Sequence, residues 1–113
     1  MHEMSIAQGI LSVSLSAAAH AGAGAIRVIH LKNGAYSEVV PALVQECFAL
    51  LAKGTAAEGA QLTFSPLPLT VRCRRCGWSG GVSKQHIACG ACGSEDLELL
   101  TGREFYVDSI EAE

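Results

Sequence analysis

The chain has 113 residues, half of them hydrophobic and 17% charged, with a formal net charge of −3. That composition describes a small folded core with a minor module rather than a disordered chain. The slight acidity gives no general reason to bind nucleic acid or an anionic membrane, and no apolar run is long enough to span a bilayer.

Residues 5–21 read as a helix, with Ile6, Ile10, Val13 and Ala17 recurring at spacings of three and four. The opposite positions are Ser and Ala where a solvated face normally carries charge. Part of that face is therefore expected to pack on a partner or on a second copy, as in a homodimer. The same stretch contains Ala-x-Ala patterns of the kind found in secretory leaders. However, the first basic residue is Arg27 and Glu3 is negative, so the positive flank of a leader is missing. A cytoplasmic protein is expected.

Gly22 and Gly24 break the helix. Residues 26–32 follow as a strand, and Asn33-Gly34 marks a turn. A second helix is predicted over residues 40–53, with Pro41 in its first turn and Gly54 just past its end. Leu43, Cys47, Phe48 and Leu51 form its expected buried stripe. Leu62 and Phe64 then alternate with Thr63 and Ser65 as a short strand that Pro66 and Pro68 end.

From residue 71 to residue 96 the apolar periodicity disappears, and glycines and paired cysteines dominate. Phe105 and Val107 resume strand patterning. This order predicts an α+β fold with a cysteine-bearing module inserted before the last strand. Residues 1–67 and 101–113 would form the α+β domain, and residues 68–100 the module. A module with so little apolar surface needs something other than a core to hold it.

Cys73-Arg74-Arg75-Cys76-Gly77 and Cys89-Gly90-Ala91-Cys92-Gly93 are two copies of one knuckle. Two intervening residues let both thiolates of a pair reach one ion. The glycine after each second cysteine permits a turn with positive φ, in which backbone N–H groups can point at sulfur. Twelve residues separate the pairs, room for a hairpin that brings them face to face. Four thiolates around Zn(II) make a closed structural site. Zinc contributes on the order of 10–16 kcal/mol in small modules, ample to fold such a segment. A rubredoxin-like iron site is the competing metal reading. Two disulfides fit poorly with an odd count of five cysteines. His86 lies in the intervening loop, either as an exchangeable ligand or as a solvated side chain. Cys47 falls on a helical apolar stripe and reads as a small hydrophobe.

Met1-His2-Glu3 is the second chemical feature. A free α-amine, the His2 imidazole and neighbouring amide nitrogens can close fused chelate rings on one ion. Such a nitrogen-rich set suits Ni(II) or Cu(II), and Glu3 can add a carboxylate oxygen. Read alone, a histidine near a terminus is usually a solvated residue. His20 and His30 have no ligand-spaced neighbours and are read as structural. His2-Glu3 opens like a His-Glu-x-x-His zinc motif, but Ile6 stands at the second histidine position. Gly54 and Gly59 have the spacing of a phosphate loop without its Lys-Ser/Thr. No nucleophile–base constellation appears, so the chain is not expected to be an enzyme.

Taken together, the sequence resembles the HypA/HybF family of NiFe-hydrogenase maturation factors. The resemblance rests on Met1-His2-Glu3-Met4-Ser5-Ile6, Gly34-Ala35-Tyr36-Ser37, Lys53-Gly54-Thr55, Ala57-Glu58-Gly59-Ala60, both cysteine pairs and Gly102-Arg103-Glu104. It covers essentially the whole chain. It implies a mixed three-stranded sheet with two helices and a zinc-ribbon-like domain. It implies His2 as the key nickel ligand, assisted by Met1 and Glu3, and structural Zn(II) on Cys73, Cys76, Cys89 and Cys92. The implied role is a metallochaperone that binds Ni(II) transiently. It would work with a HypB-type nickel GTPase and the hydrogenase large subunit, with urease accessory proteins as further partners. Two departures bear on partner contacts: the first helix carries almost no charge after Glu3, and Val40 stands where a glutamate is common before Pro41.

The competing function is a zinc-ribbon module for protein or nucleic acid. Arg72, Arg74, Arg75 and Lys84 make the knuckle region locally basic, a patch suited to phosphates. The overall acidity does not extend that patch, which favours a solvated or protein-docking surface.

Overall fold

The computed structural model describes residues 2–113. Helix α1 spans Glu3–His20 and strand β1 Ile26–Gly34. Helix α2 spans Pro41–Leu51, and strands β2 Gln61–Leu67 and β3 Thr70–Cys73 follow. The last strands are β4 Ser79–Gly81, β5 Leu97–Thr101 and β6 Phe105–Ala112. They form two three-stranded sheets, ordered β2-β1-β6 and β4-β3-β5. The fold is α+β, as expected.

The chain divides into two compact units. The first comprises the chain up to Lys32, Glu38–Ser65 and Tyr106–Glu113; the second comprises Asn33–Ser37 and Pro66–Phe105.

In the first unit, α1 begins with Glu3 in its first turn, where a carboxylate complements the helix dipole. It ends in a Schellman motif: the Ala23 N–H donates to Ala18 O at 2.9 Å and the Gly22 N–H to Ala19 O at 3.1 Å. Gly22 supplies the left-handed turn at φ 67°. Helix α1 packs on α2, and Ile26, Ile29, Leu31, Val44 and Phe48 are almost fully buried beside Ala7, Leu11 and Ala18.

The buried stripes differ from those expected. On α1 the inward residues are Ala7, Ile10, Leu11, Ser14 and Ala18, while Val13 is 54% exposed. On α2 they are Val44 and Phe48, and Leu43 is 45% exposed. Both helices carry apolar residues on more than one side, so periodicity alone admits two orientations. On α1 the buried side is the one that carries Ile10 and Leu11 together with Ala7, Ser14 and Ala18.

Two strand boundaries also move. Strand β1 runs through Asn33 and Gly34, and the turn falls at residues 35–36. Strand β2 continues through Pro66. It is an edge strand, where half the N–H groups have no ladder partner and proline is tolerated.

His30 crosses its sheet. Its Nδ1 lies 2.7 Å from Thr63 Oγ1 on β2, and its Nε2 lies 2.6 Å from Glu111 Oε2 on β6. His20, also read from the sequence as structural, lies with its Nδ1 2.9 Å from Ser16 O on its own helix.

The second unit is built on β3. It pairs antiparallel with β4 (Val71↔Gly80, Arg72↔Ser79) and with β5 (Arg72↔Glu98, Cys73↔Leu97). Leu69 and Val71 make its small buried core. Strands of three to five residues are too short to leave a period, which is why none of β3, β4 and β5 is expected from the sequence.

Candidate metal centres

Each knuckle folds the same way, and the sequence dictates why. Gly77 at φ 81° and Gly93 at φ 76° turn the chain back, a conformation that costs glycine little. The turn lets the Gly77 N–H donate to Cys73 O and the Gly93 N–H to Cys89 O, both at 3.0 Å. The Cys73 N–H then donates to Trp78 O at 2.7 Å, and the Cys89 N–H to Ser94 O at 2.8 Å. Within these turns the Cys76 N–H points at Cys73 Sγ at 3.4 Å. The Ala91 and Cys92 N–H groups point at Cys89 Sγ at 3.3 Å.

The four cysteine sulfurs lie within 4.8 Å of one another. Two cross-knuckle separations are short, Cys76 to Cys89 at 3.5 Å and Cys73 to Cys92 at 3.7 Å. An ion ~2.3 Å from each sulfur of a regular tetrahedron would set the sulfurs about 3.8 Å apart. The cluster therefore fits a tetrahedral thiolate-bound metal, held by Cys73, Cys76, Cys89 and Cys92. Cys73 and Cys89 are buried; Cys76 and Cys92 are exposed.

The sulfur electrostatics reflect that crowding. Burial pushes the Cys89 thiol up, but the Cys92 and Ala91 N–H groups outweigh it and bring it down to about 6. Cys73 is lowered chiefly by the Cys76 N–H, against burial. Cys76 is relieved by the Trp78 N–H, yet the neighbouring Cys89 sulfur and burial carry it up to about 12. Four negative sulfurs cannot share this space without a cation among them.

The sequence reading missed Trp78. A Cβ built on Gly80 or on Gly90 would each fall 2.6 Å from Trp78 Cζ2. The indole is thus wedged between β4 and the second knuckle. The available signal was a lone aromatic between the cysteine pairs, flanked by glycines.

The amino terminus is organised differently. His2 is the N-cap of α1, exposed, with φ −95° and ψ 68° and no side-chain capping bond. The first helical donor is the Ile6 N–H, bonded to His2 O at 3.0 Å. The His2 and Glu3 N–H groups precede that donor, so the helix ladder does not use them. Glu3 follows as the first helical residue, half-buried. Met1 lies outside the described residues. The imidazole, the carboxylate and the two amide nitrogens are adjacent in the chain and uncommitted to the helix.

The family model described as "Hydrogenase/urease nickel incorporation, metallochaperone, hypA" matches residues 1–112. The chain belongs to the HypA family. Hydrogenase maturation factor HypA of Dehalococcoides mccartyi is 36% identical over 113 residues, covering 100% of this chain and 95% of that protein. The HypA of Nostoc sp. is likewise 36% identical, covering 100% and 96%. The solution structure of the nickel metallochaperone HypA from Helicobacter pylori superposes with a TM-score of 0.70 at 18% identity, covering 99% of this chain and 97% of that one. A second HypA solution structure gives 0.74 at 19% identity, covering 99% and 96%. At such identities these two establish the fold.

The remaining residues singled out in the sequence take their places in this HypA fold. Cys47 is half-buried on α2 and outside the sulfur cluster. His86 is exposed, bridged to Ser83 in the loop between the knuckles, and is not part of the cluster among the described residues. The basic patch is partly neutralised: Arg74 pairs with Asp96 at 3.3 Å and donates to Leu97 O at 2.7 Å, and Arg72 lies 3.8 Å from Glu98. Lys84 donates to Ala35 O at 3.1 Å and sits over the Tyr36 ring. The Gly54 N–H is bonded to the Glu58 carboxylate at 3.0 Å, so this glycine turn closes on its own side chain. No helix among the described residues is long and apolar enough to cross a membrane.

Proposed function

We propose that this protein is a nickel metallochaperone for NiFe-hydrogenase maturation, and that it performs no catalysis itself. The observation that carries this reading is an exposed His2 at the head of α1, ahead of the helix ladder, in a chain of the HypA family. Ni(II) is the cargo. Its ligands are the Met1 amine, the His2 imidazole, adjacent amide nitrogens and the Glu3 carboxylate. An exposed chelate at a chain end can give up its ion, because protons and partner ligands reach it. Nickel affinity therefore falls as pH drops.

Cys73, Cys76, Cys89 and Cys92 hold a resident Zn(II), which cross-links two knuckles that have little core of their own. Zinc keeps four thiolates closed and undergoes no redox change itself. The recipients are a HypB-type GTPase and the hydrogenase large subunit, in the cytoplasm. Urease accessory proteins form a second recipient class.

The test is metal analysis and Ni(II) titration of untagged protein with its native terminus, beside His2→Ala. Wild type should carry one zinc and take up one nickel. The variant should keep zinc and lose nickel. Equal nickel uptake by both would remove His2 from the site, and iron in place of zinc would correct the cluster.

A further inference from the structure

We propose that Cys76 and Cys92 are a site of oxidative modification, the thiolates that a peroxide attacks first, and that their oxidation releases the cluster's metal. The inference rests on the zinc reading above. Each knuckle contributes one buried and one exposed cysteine. Cys73 and Cys89 are 1% and 5% exposed, whereas Cys76 and Cys92 are exposed and line an open cavity of about 540 Å³ with Arg75, Gly93 and Ser94. A Cβ on Gly77 or Gly93 would meet nothing within 4 Å, so the approach past both turns is clear. The hidden Cys89 sulfur also accepts two backbone N–H bonds at 3.3 Å, from Ala91 and Cys92, which draws electron density from it. Reactivity of a thiolate follows its exposure and its electron density.

The sulfur spacing then selects the product. Across the cluster Cys76 Sγ lies 3.5 Å from the Sγ of the hidden Cys89, and Cys92 Sγ lies 3.7 Å from that of the hidden Cys73, each pair joining an exposed cysteine to a buried one. In the first step the Cys76 thiolate attacks one oxygen of hydrogen peroxide. The O–O bond breaks, hydroxide leaves, and a sulfenic acid forms. In the second step the Cys89 thiolate attacks that sulfur, the S–O bond breaks, and a second hydroxide leaves. Two thiolates have lost two electrons to form one disulfide, and the peroxide has become two hydroxides. The ion keeps two of its four thiolates and dissociates as Zn(II). The Cys92–Cys73 pair reacts in the same way.

The experiment uses zinc-loaded full-length protein, wild type and Cys47→Ala, with zinc per chain measured first. Limiting hydrogen peroxide is added with and without dimedone, which caps sulfenic acids. Zinc release is followed with a chromogenic chelator, Trp78 emission reports the knuckles, and tryptic mapping locates the modified sulfurs. Trp78 is the single tryptophan, so its emission is unambiguous. Dimedone is expected on Cys76 and Cys92. Without dimedone, cross-knuckle disulfides should accumulate with loss of the zinc and a shift in emission. Dimedone on Cys73 and Cys89 at equal rates would overturn the inference, as would within-knuckle disulfides as the main product, or zinc retained after the peroxide is consumed. Protein that holds no zinc before peroxide is added overturns the zinc reading and this inference together. Zinc that is present but indifferent to peroxide overturns the inference alone.

Discussion

Gly90→Ala tests whether the Trp78 wedge sets the geometry of the sulfur cluster. The added Cβ would sit 2.6 Å from Trp78 Cζ2 and 3.0 Å from Cε2 and Cη2. Ordinary contact begins at 3.4 Å, so the ring must retreat by 0.8 Å. Gly80 also lies close to this ring edge, a Cβ there falling 2.6 Å from the same Cζ2, so the ring has little room to move. The strain must pass into the second knuckle, whose Cys89 and Cys92 flank Gly90. Overpacking of this kind costs about 1–3 kcal/mol. In a unit whose folding is coupled to metal, ~2 kcal/mol is roughly a 30-fold loss of zinc affinity. The clashing atoms all belong to the six-membered ring of the indole, which Trp78→Phe shortens. The double variant should therefore lose less than the sum of the single losses. Chelator competition reads the zinc affinity of all four proteins. Strict additivity, or a Gly90→Ala protein with wild-type affinity, would refute the wedge.

Three further outcomes are expected. Phe48→Ala should destabilise the first unit by about 3–5 kcal/mol, since Phe48 is 1% exposed. Leu43→Ala, at 45% exposure, should change stability by less than about 1 kcal/mol; urea midpoints decide, and equal losses would restore the stripe expected from periodicity. The Glu104 carboxyl is held below its ordinary value of 4.5 by the Gly102 N–H first, then by its own N–H and against burial. Its contribution to stability is therefore present above pH 4.5 and lost as pH falls through the lowered value, so Glu104→Gln should flatten the acid limb of a urea-midpoint profile; parallel profiles would refute it. Gly34→Ala should disrupt the second unit, because its Cβ would collide with the Gly102 carbonyl, backbone against backbone; near-wild-type stability by urea titration would show that this crossing yields.

Legibility in the sequence tracked how local the determining physics is. The knuckles were legible because ligand spacing, the positive-φ glycine and the N–H···S bonds all lie within five consecutive residues. Helix ends were legible for the same reason: Gly22 and Pro41 act within one turn. The buried faces of α1 and α2 were not, because Val13 and Ala7, or Leu43 and Val44, satisfy the same local hydropathy. Only tertiary packing decides which of each pair turns inward. Pro66 inside β2 and the short strands β3, β4 and β5 depend on tertiary partners, an edge position in one case and mutual pairing in the other.

The two centres use locality to opposite ends. At the cysteine cluster, turns from two distant segments must meet, so short-range motifs are committed to a long-range cross-link, and strain at Gly90 is felt at sulfur. At the amino terminus nothing long-range is required. His2 and Glu3 keep their amide groups ahead of the first helical donor at Ile6, and the ligands are consecutive in the chain. A site built from consecutive residues needs little folding energy to form and little to give up. A site built across two knuckles cannot lose its ion without breaking, or replacing by another bond, the link between them. On the function proposed above, retention at the cysteine cluster and release at the amino terminus would follow from where the ligands lie along the chain, before any difference between nitrogen and sulfur donors is considered.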